Sequence, residues 1–512
     1  MSGYARQTES GRGQVEEAAG GFFDRSRGLF EEMVAGLADR GSGQLTHTQL
    51  EGHLAQRSRE LTRSLFQDHL DLRACREQRI PEGVTGAEGM VRTRAERGRQ
   101  RELATVFGTV TVTRIAYRAP GVANLHPADA ALNLPEGKHS HGLRRLAAIE
   151  AARGSFEQAG AAIERASGVR VGKRQVEALA LAAAADVGAF YAQMQRAACP
   201  ETEVLVLTFD GKGVVMRPEA LREATAKAAK AAGGKLTTRL SPGEKNGRKR
   251  MAELAGVYDA APAPRVPADV ICPPGRPRSA TTAPTASGKW LTASLTDDIP
   301  AVVAAAFEEA ERRDPEHHRP WVALVDGNTT QIEAIKAEAA RRHTKLSIVL
   351  DFIHVLEYLW KAAWSFFDTG DPDAEAWVAD QATKILEGKA ADVAAGIRRR
   401  ATRFDYSPSE RKGADVAADY LTRKRPHLDY HTALANGWPI ATGIIEGACR
   451  HIVKDRMDIT GARWGLEGAE AVLTLRALLS NGDFDAYWRY HLNQEHHRVH
   501  HTRYQDTHQL AA

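Results

Sequence analysis

The stretch VLVLTFDGKGVVM, residues 204–216, decides how the chain is read. Val204, Val206 and Thr208 alternate with Leu205, Leu207 and Phe209, so both faces of the predicted strand are apolar. That is the pattern of a strand covered on both sides. A carboxylate follows at Asp210, where burial is costly without a partner. Asp-Gly is ordinary turn chemistry, so one reading is a strand-end turn. The other is a metal ligand at the mouth of a sheet.

The pattern recurs twice. In PWVALVDGNTT, Trp321–Val325 predict a short buried strand that again ends in Asp-Gly, at Asp326. A third strand, LSIVLDF, reaches Asp351 and runs into the amphipathic helix IHVLEYLWKAAWSFF. Strands interleaved with helices such as DIPAVVAAAFEEAERR predict an α/β domain, with functional groups gathered at strand ends. Asp210 and Asp326 can then approach each other despite their separation in sequence. Two carboxylates at close range repel unless cations lie between them. Hard divalent metals with oxygen ligands meet that need, and a two-metal site activates a nucleophile and stabilises the leaving oxygen of a phosphodiester.

A third acid completes such a site. Glu446 lies in ATGIIEGACRHIVKDRMDITGARW, residues 441–464. On an α-helix Arg450 and Lys454 follow it at i+4 and i+8, placing an acid and two bases on one face. A salt-bridged surface helix has the same pattern. Gly443, Gly447 and Gly461 weaken a merely structural helix and predict close approach by another backbone or a ligand.

At 512 residues the chain is too long for one core. No run of 18 apolar residues occurs and the N-terminus MSGYARQTESGRGQVEE is polar, which predicts neither a membrane span nor a secretory signal and makes the cytoplasm the expected location. Cys75, Cys199, Cys272 and Cys449 form no Cys-x-x-Cys pair, which argues against a zinc ribbon or disulfide framework and for reduced structural thiols. The net charge of +4 is small, but residues 222–250 carry nine Lys or Arg against two Glu, and residues 89–118 carry seven Arg against two Glu. Such local excesses suit a solvated face or a polyanionic partner. Six histidines within residues 491–508, with no acid or cysteine at regular metal-ligand spacing, predict a polar tail.

Residues 14–75 have the periodicity of amphipathic helices. VFGTVTVTRIAYR, residues 106–118, predicts a strand or hairpin with Gly108 at the turn or bulge. Residues 155–185 predict two helices, with Ala159 as a small residue in the first, Gly168 at the tight turn, and Val176 and Leu179 packing the second onto the first. Lys173, Arg174 and Gln175 then open the second helix, where a helix-turn-helix meets phosphates and base edges. An αα-hairpin in a core has the same pattern. Residues 261–288, rich in proline and small polar residues, predict a loop.

In the order TFDGKG, LVDGN, DFIHVLEYLWKAA and TGIIEGACRHIVKDRMDITGARW, the chain resembles bacterial insertion-sequence transposases of the DDE type, the ISKra group, which is related to Mutator-like transposases. The match spans roughly residues 140–482. The resemblance implies an RNase H-like catalytic core, two Mg²⁺ ions with Mn²⁺ able to substitute, and double-stranded DNA with terminal inverted repeats as substrate. Asp210 matches the first acid, on the first strand; Asp326 the second, after the fourth strand; Glu446 the third, on a late helix. Related transposases carry Cys-x-x-His after the second acid, whereas Asp351, Phe352, Ile353 and His354 stand here. Asp351 is therefore a helix cap, a supporting residue with His354, or a rival second acid; Asp326 is preferred because its Asp-Gly context repeats that of Asp210.

The implied organisation is a helical region over residues 1–100, then a β-hairpin and helix-turn-helix-like DNA-binding region over 101–190. The RNase H-like core follows over 200–360 and 436–482, interrupted by an all-α insertion over 361–435, with a histidine-rich tail over 483–512. Expected DNA contacts are Lys173, Arg174, Gln175, Lys212, Lys249, Arg250, Arg450 and Lys454, with Gly211 and Gly213 admitting a DNA backbone. Trp464 is read as a base-stacking residue or a buried core tryptophan. The implied chemistry is phosphodiester hydrolysis, then attack of the freed 3′-hydroxyl on target DNA. Pairing two ends implies a homodimer or higher homo-oligomer on nucleoid DNA, without a membrane. DGKG lacks the Gly-x-x-x-x-Gly-Lys-Ser/Thr spacing, so ATP hydrolysis has no support. The alternatives are a transposase-derived DNA-binding regulator without cleavage, and a structural scaffold with an unrelated partner.

Overall fold

The structure is a computed structural model and describes residues 20–196, 199–232, 248–272, 283–459 and 461–505. The polar N-terminal stretch, part of the basic segment (233–247), part of the proline-rich stretch (273–282) and His508 lie outside the described residues. The chain divides into two compact units, Met1–Phe190 with Phe484–Ala512, and Tyr191–Asp483.

In the first unit, α1 (Asp24–Ala38) and α2 (His47–Arg76) form from the amphipathic N-terminal sequence. A capping box opens α2: Thr46 accepts from Gln49 N, and the Gln49 side chain accepts from Thr46 N at 2.9 Å. A short pair, β1 (Val84–Thr85) and β2 (Val91–Arg92), precedes an antiparallel hairpin of β3 (Arg94–Thr105) and β4 (Gly108–Arg118). The hairpin is twice the length that residues 106–118 predict, because the polar sequence RAERGRQRELAT is held as a strand by its pairing with apolar β4.

Three helices follow: α3 (His141–Arg153), α4 (Phe156–Ser167) and α5 (Lys173–Ala184), each packed on the other two. Gly168 ends α4 in the left-handed region at φ 72°, as the turn requires. The close approach is at Gly160, where an added Cβ would stand 2.8 Å from Val171 O. Ala159, Val176 and Leu179 are buried as the pattern predicts. The helix Phe484–Val499 joins this unit. Its Phe484, Tyr487, Trp488 and His491 are buried at helical spacing, and Arg498 donates to both oxygens of Asp186 at 2.9 and 3.0 Å. The expected polar tail is thus corrected for its described residues: an aromatic stripe, outvoted by histidines in composition, anchors a helix.

The second unit is built on a five-stranded mixed sheet, β5 (Val204–Met216), β6 (Arg248–Ala260), β7 (Ala286–Ser294), β8 (Trp321–Val325) and β9 (Leu346–Leu350). The spatial order is β7-β6-β5-β8-β9; β5, β6 and β7 are antiparallel neighbours, while β8 and β9 run parallel to β5. Connections between parallel strands are helical: α6 (Ile299–Arg313) lies between β7 and β8, packed on β5, β6 and β7, and α7 (Thr329–Arg341) links β8 to β9. After β9 come α8 (Phe352–Ala363), α9 (Pro372–Leu386), α10 (Ala390–Arg403) and α11 (Lys412–Lys424), then α12 (Gly443–Ala448) and α13 (Leu466–Ser480). Val378, Ile385, Ile397 and Leu421 of these helices belong to the same buried core as Val206, Val322 and Val349 of the sheet. The helical segment is therefore packed into the sheet's own core.

Candidate functional site

DGKG is not a turn. β5 runs through it to Met216, paired residue for residue with β6, Asp210 opposite Leu254 and Gly211 opposite Glu253. The ladder overrides the local turn preference of Asp-Gly. The second Asp-Gly differs: Gly327 takes φ 100°, the chain leaves the sheet, and Tyr420 donates its hydroxyl to Asp326 O at 3.2 Å.

Register brings the aspartates together. β5 and β8 pair Thr208 with Leu324, so two residues further on Asp210 and Asp326 stand level. β8 and β9 pair Val325 with Leu350, so one residue further on Asp326 and Asp351 stand level. Asp351 N still donates to Val325 O at 2.8 Å, extending that ladder. Strands lie about 4.8 Å apart, so the three aspartates form a row roughly 10 Å long, Asp210 within β5 and Asp326 and Asp351 just past the ends of the parallel strands β8 and β9. Level residues on neighbouring strands share a face.

The three carboxylates are held differently. Asp351 is buried, 2% exposed. Its Oδ1 accepts from Ile353 N at 3.1 Å, capping α8, and from Thr442 N at 3.3 Å; its Oδ2 accepts from Thr442 Oγ1 at 2.9 Å. Asp210 is half-buried, and its Oδ2 accepts from the thiol of Cys449 at 3.0 Å. Burial, then the charge of Asp210, push the Cys449 thiol well above its ordinary range, so it stays a donor. Asp326 is half-buried, with Oδ1 accepting from Asn328 N at 2.8 Å, and it faces an open cleft with His354. His354 Nδ1 lies 3.4 Å from Glu357 Oε2, and its ring meets Tyr358 and Tyr420 edge-on.

Glu446 joins the row from α12. Its carboxyl pKa is raised, first by loss of water, then by the negative charges of Asp351 and Asp210. Thr442 Oγ1 lies 3.5 Å from Glu446 Oε1 as well as on Asp351, so one hydroxyl ties the start of the glutamate's helix to the end of β9. A fifth acid, Glu253 on β6, is raised mainly by burial, with Arg222 opposing the shift and Asp210 adding to it. Among the described residues no group of three or more His, Cys, Asp or Glu side chains is gathered closely enough to hold a metal ion. The donor set is nevertheless all hard oxygen, and Glu446 is an acid raised first by burial and then by neighbouring carboxylates. Both features fit a divalent ion of the Mg²⁺ type.

Several expectations are corrected. α12 passes into a π-helical turn, Cys449–Lys454. Such a turn accommodates about one extra residue, rotating Lys454 by roughly 100° from the α-helical face expected for it. Cys449, Ile452 and Val453 face the interior, while Arg450 is exposed and lies 4.0 Å from Asp455. An added Cβ at Gly443, Gly447 or Gly461 would meet nothing within 4 Å, so close approach by another protein backbone does not explain them; Gly461 is suited to its left-handed φ of 76°. Beside Gly211 and Gly213 the room expected for a DNA backbone is occupied by the side chains of Met251, Glu253 and Lys249 from β6. Trp464 is 6% exposed, donates Nε1 to Met457 O at 3.0 Å and lies under the Arg456 guanidinium, so it packs the interior and presents no face to a base. Arg250 directs Nε to Leu295 O and Nη1 to Ala220 O, a structural commitment. Lys212 is half-buried and Lys249 exposed.

In the first unit, Lys173, Arg174 and Gln175 are exposed at the start of α5. Gln175 Oε1 accepts from Gly172 N at 3.2 Å, so part of its polar capacity caps the helix. Sequence reasoning missed Thr442 and Cys449 as holders of the acids. A hydroxyl four residues before Glu446 and a thiol three after it were the only local signals.

No family model matches the chain, and no curated protein does. Among solved structures the chain is distantly similar to the Drosophila P element transposase strand transfer complex: 10% identity, 76% of this chain and 84% of that chain covered, TM-score 0.22. Among the described residues no helix is long and apolar enough to cross a membrane.

Proposed function

We propose that the second unit is an RNase H-like catalytic core of a DDE transposase, cutting phosphodiester bonds at transposon ends and joining the 3′-hydroxyl to target DNA. The observation that carries this reading is the row of Asp210, within β5, and Asp326 and Asp351, just past the ends of the parallel strands β8 and β9, with Glu446 held near Asp351 and Asp210. The strand order, three antiparallel strands continued by two parallel ones, supports it. A purely structural row of carboxylates would repel itself without compensation.

Asp210, Asp326 and Glu446 would hold the metals. Asp351 is the supporting residue, since both its oxygens accept hydrogen bonds from protein donors in a buried setting. Bound Mg²⁺ would supply Lewis-acid activation of a water and stabilisation of the departing 3′ oxygen. The chain's own contribution is orientation: the Cys449 thiol fixes Asp210, and Thr442 couples Asp351 to Glu446. Lys212, on the same stretch of β5, would take a substrate phosphate. Lys173 and Arg174 of α5 would contact DNA in the manner of a helix-turn-helix, and two protomers would pair two ends.

The test is cleavage of duplex carrying the inverted repeats that flank the coding region, with Mg²⁺ or Mn²⁺. Asp210→Asn, Asp326→Asn and Glu446→Gln should lose cleavage and keep binding, while Asp351→Asn should be impaired and less stable. Equal cleavage by wild type and Asp326→Asn would remove Asp326 from the ligand set in favour of Asp351. Binding without any cutting by wild type would support the regulator instead.

A further inference from the structure

A group of basic side chains gathers near Asp326, most of them from the basic run RKRPH, residues 423–427. Lys336 comes from α7, Arg423 and Lys424 from the end of α11, and His427 from the turn that follows. Lys336 Nζ is 3.3 Å from His427 Nε2, and Lys424 Nζ donates to Thr329 Oγ1 at 2.9 Å. Arg423 and Lys424 line the same open cleft as Asp326, Asn328, Thr329 and His354, about 540 Å³ in volume.

These cations differ from the paired ones of the unit, though among the described residues they share the lack of a carboxylate partner within 4.0 Å with others such as Lys212, Lys249 and Arg399. Arg341 and Arg342 pair with Glu338, Lys384 with Asp380, Arg398 with Asp419 and Arg411 with Asp415. Among the described residues, no ion pair within 4.0 Å involves Lys336, Arg423 or Lys424. Asp326 and Glu333 are the acids whose charge reaches Lys424, against Arg423 and Lys336 of its own sign. Collecting like charges around an open cleft costs Coulomb energy that a bound polyanion would offset. The cations span two helices and are not enclosed, which suits successive phosphates of a strand better than one small anion.

We propose that Lys336, Arg423 and Lys424 form a phosphate-binding platform that holds the DNA backbone alongside the carboxylate row; the assignment of the row rests on the transposase reading above. The helical segment that interrupts the core then supplies substrate contacts through the end of α11. The platform lies outside the basic segment 222–250 that composition singles out.

The test is fluorescence anisotropy of the full-length protein on a labelled duplex, in Ca²⁺ in place of Mg²⁺, across a salt series. Removing one lysine that neutralises a phosphate should reduce the slope of log affinity against log salt by about 0.9. Lys336→Gln with Lys424→Gln should therefore lower the slope by about 1.8 and weaken binding at fixed salt. Lys384→Gln, removing a lysine paired with Asp380, should leave the slope unchanged. An unchanged slope and Kd in a double variant that melts like wild type overturns the platform. Displacement of bound duplex by millimolar inorganic phosphate, equal in wild type and double variant, overturns it as well. A wild type that binds with the steep slope but never cuts sinks the catalytic reading and leaves the platform standing. One that cuts, with unchanged slopes in the variants, sinks the platform alone. Absence of wild-type binding to duplex overturns both.

Discussion

Replacing Thr442 by valine tests the tie between β9 and the glutamate helix. The change nearly conserves volume and deletes one hydroxyl, which donates to Asp351 Oδ2 at 2.9 Å between residues 5% and 2% exposed. A hydrogen bond to a charged group contributes about 1.5–3 kcal/mol. Asp351 keeps Ile353 N and Thr442 N as donors, so the expected cost is in the lower half of that range, about 2 kcal/mol. For a unit of this size that corresponds to a Tm lowered by about 3 °C. Urea and thermal unfolding followed by circular dichroism measure it. A double-mutant cycle with Asp351→Asn should return a coupling of about 1 kcal/mol or more. Cleavage should fall while DNA binding stays, because no proposed ligand or phosphate-binding residue is removed. A destabilisation below about 0.5 kcal/mol, within the range of ordinary surface substitutions, or strictly additive costs in the cycle, would refute the reasoning.

Further outcomes follow from the same geometry. Glu446 has a carboxyl pKa raised above 4.5, so its ionised form is disfavoured in the fold. The penalty is present above the folded pKa and disappears as pH falls through it toward 4.5. In EDTA, Glu446→Gln should therefore melt higher than wild type at neutral pH, with the gap closing as pH is lowered; a gap independent of pH would contradict this. Mg²⁺ should raise the Tm of wild type and leave that of Glu446→Gln nearly unmoved, since only a state with an intact site gains from the ion. Gly160→Ala would set a Cβ 2.8 Å from Val171 O, and overpacking of this kind costs about 1–3 kcal/mol. Unfolding of the first unit should report it, and an unaffected Tm would mean that α4 and the α4–α5 turn separate freely. Gly327→Ala places a methyl 3.0 Å from the Tyr420 hydroxyl in a backbone region reserved for glycine, so cleavage should drop with Asp326 unchanged in sequence.

Much of this molecule is written locally. Alternation in VLVLTF and the apolar runs WVALV and LSIVL were enough to place three strands and the aspartates that follow those runs, because a strand buried on both faces leaves a continuous apolar signature. The two helices of residues 155–185 were equally legible, down to Gly168 at their turn. The two Asp-Gly pairs were not separable, although one lies inside a thirteen-residue strand and the other leaves the sheet at positive φ. Only the partner decides: β6 continues beside Gly211, while β8 has no pairing past Val325.

The sequence by itself determined which acids follow apolar strand-forming runs and which segments are helical, since periodicity and capping act over a few residues. Only the tertiary structure decided that Asp210, Asp326 and Asp351 stand level, because parallel register joins strands separated by long crossovers and leaves no local trace. The same holds for Cys449 on Asp210, Thr442 on Asp351, the burial of Trp464 and the gathering of Lys336 with Lys424. Each depends on which surfaces the core brings face to face, and that is set by packing across the whole unit.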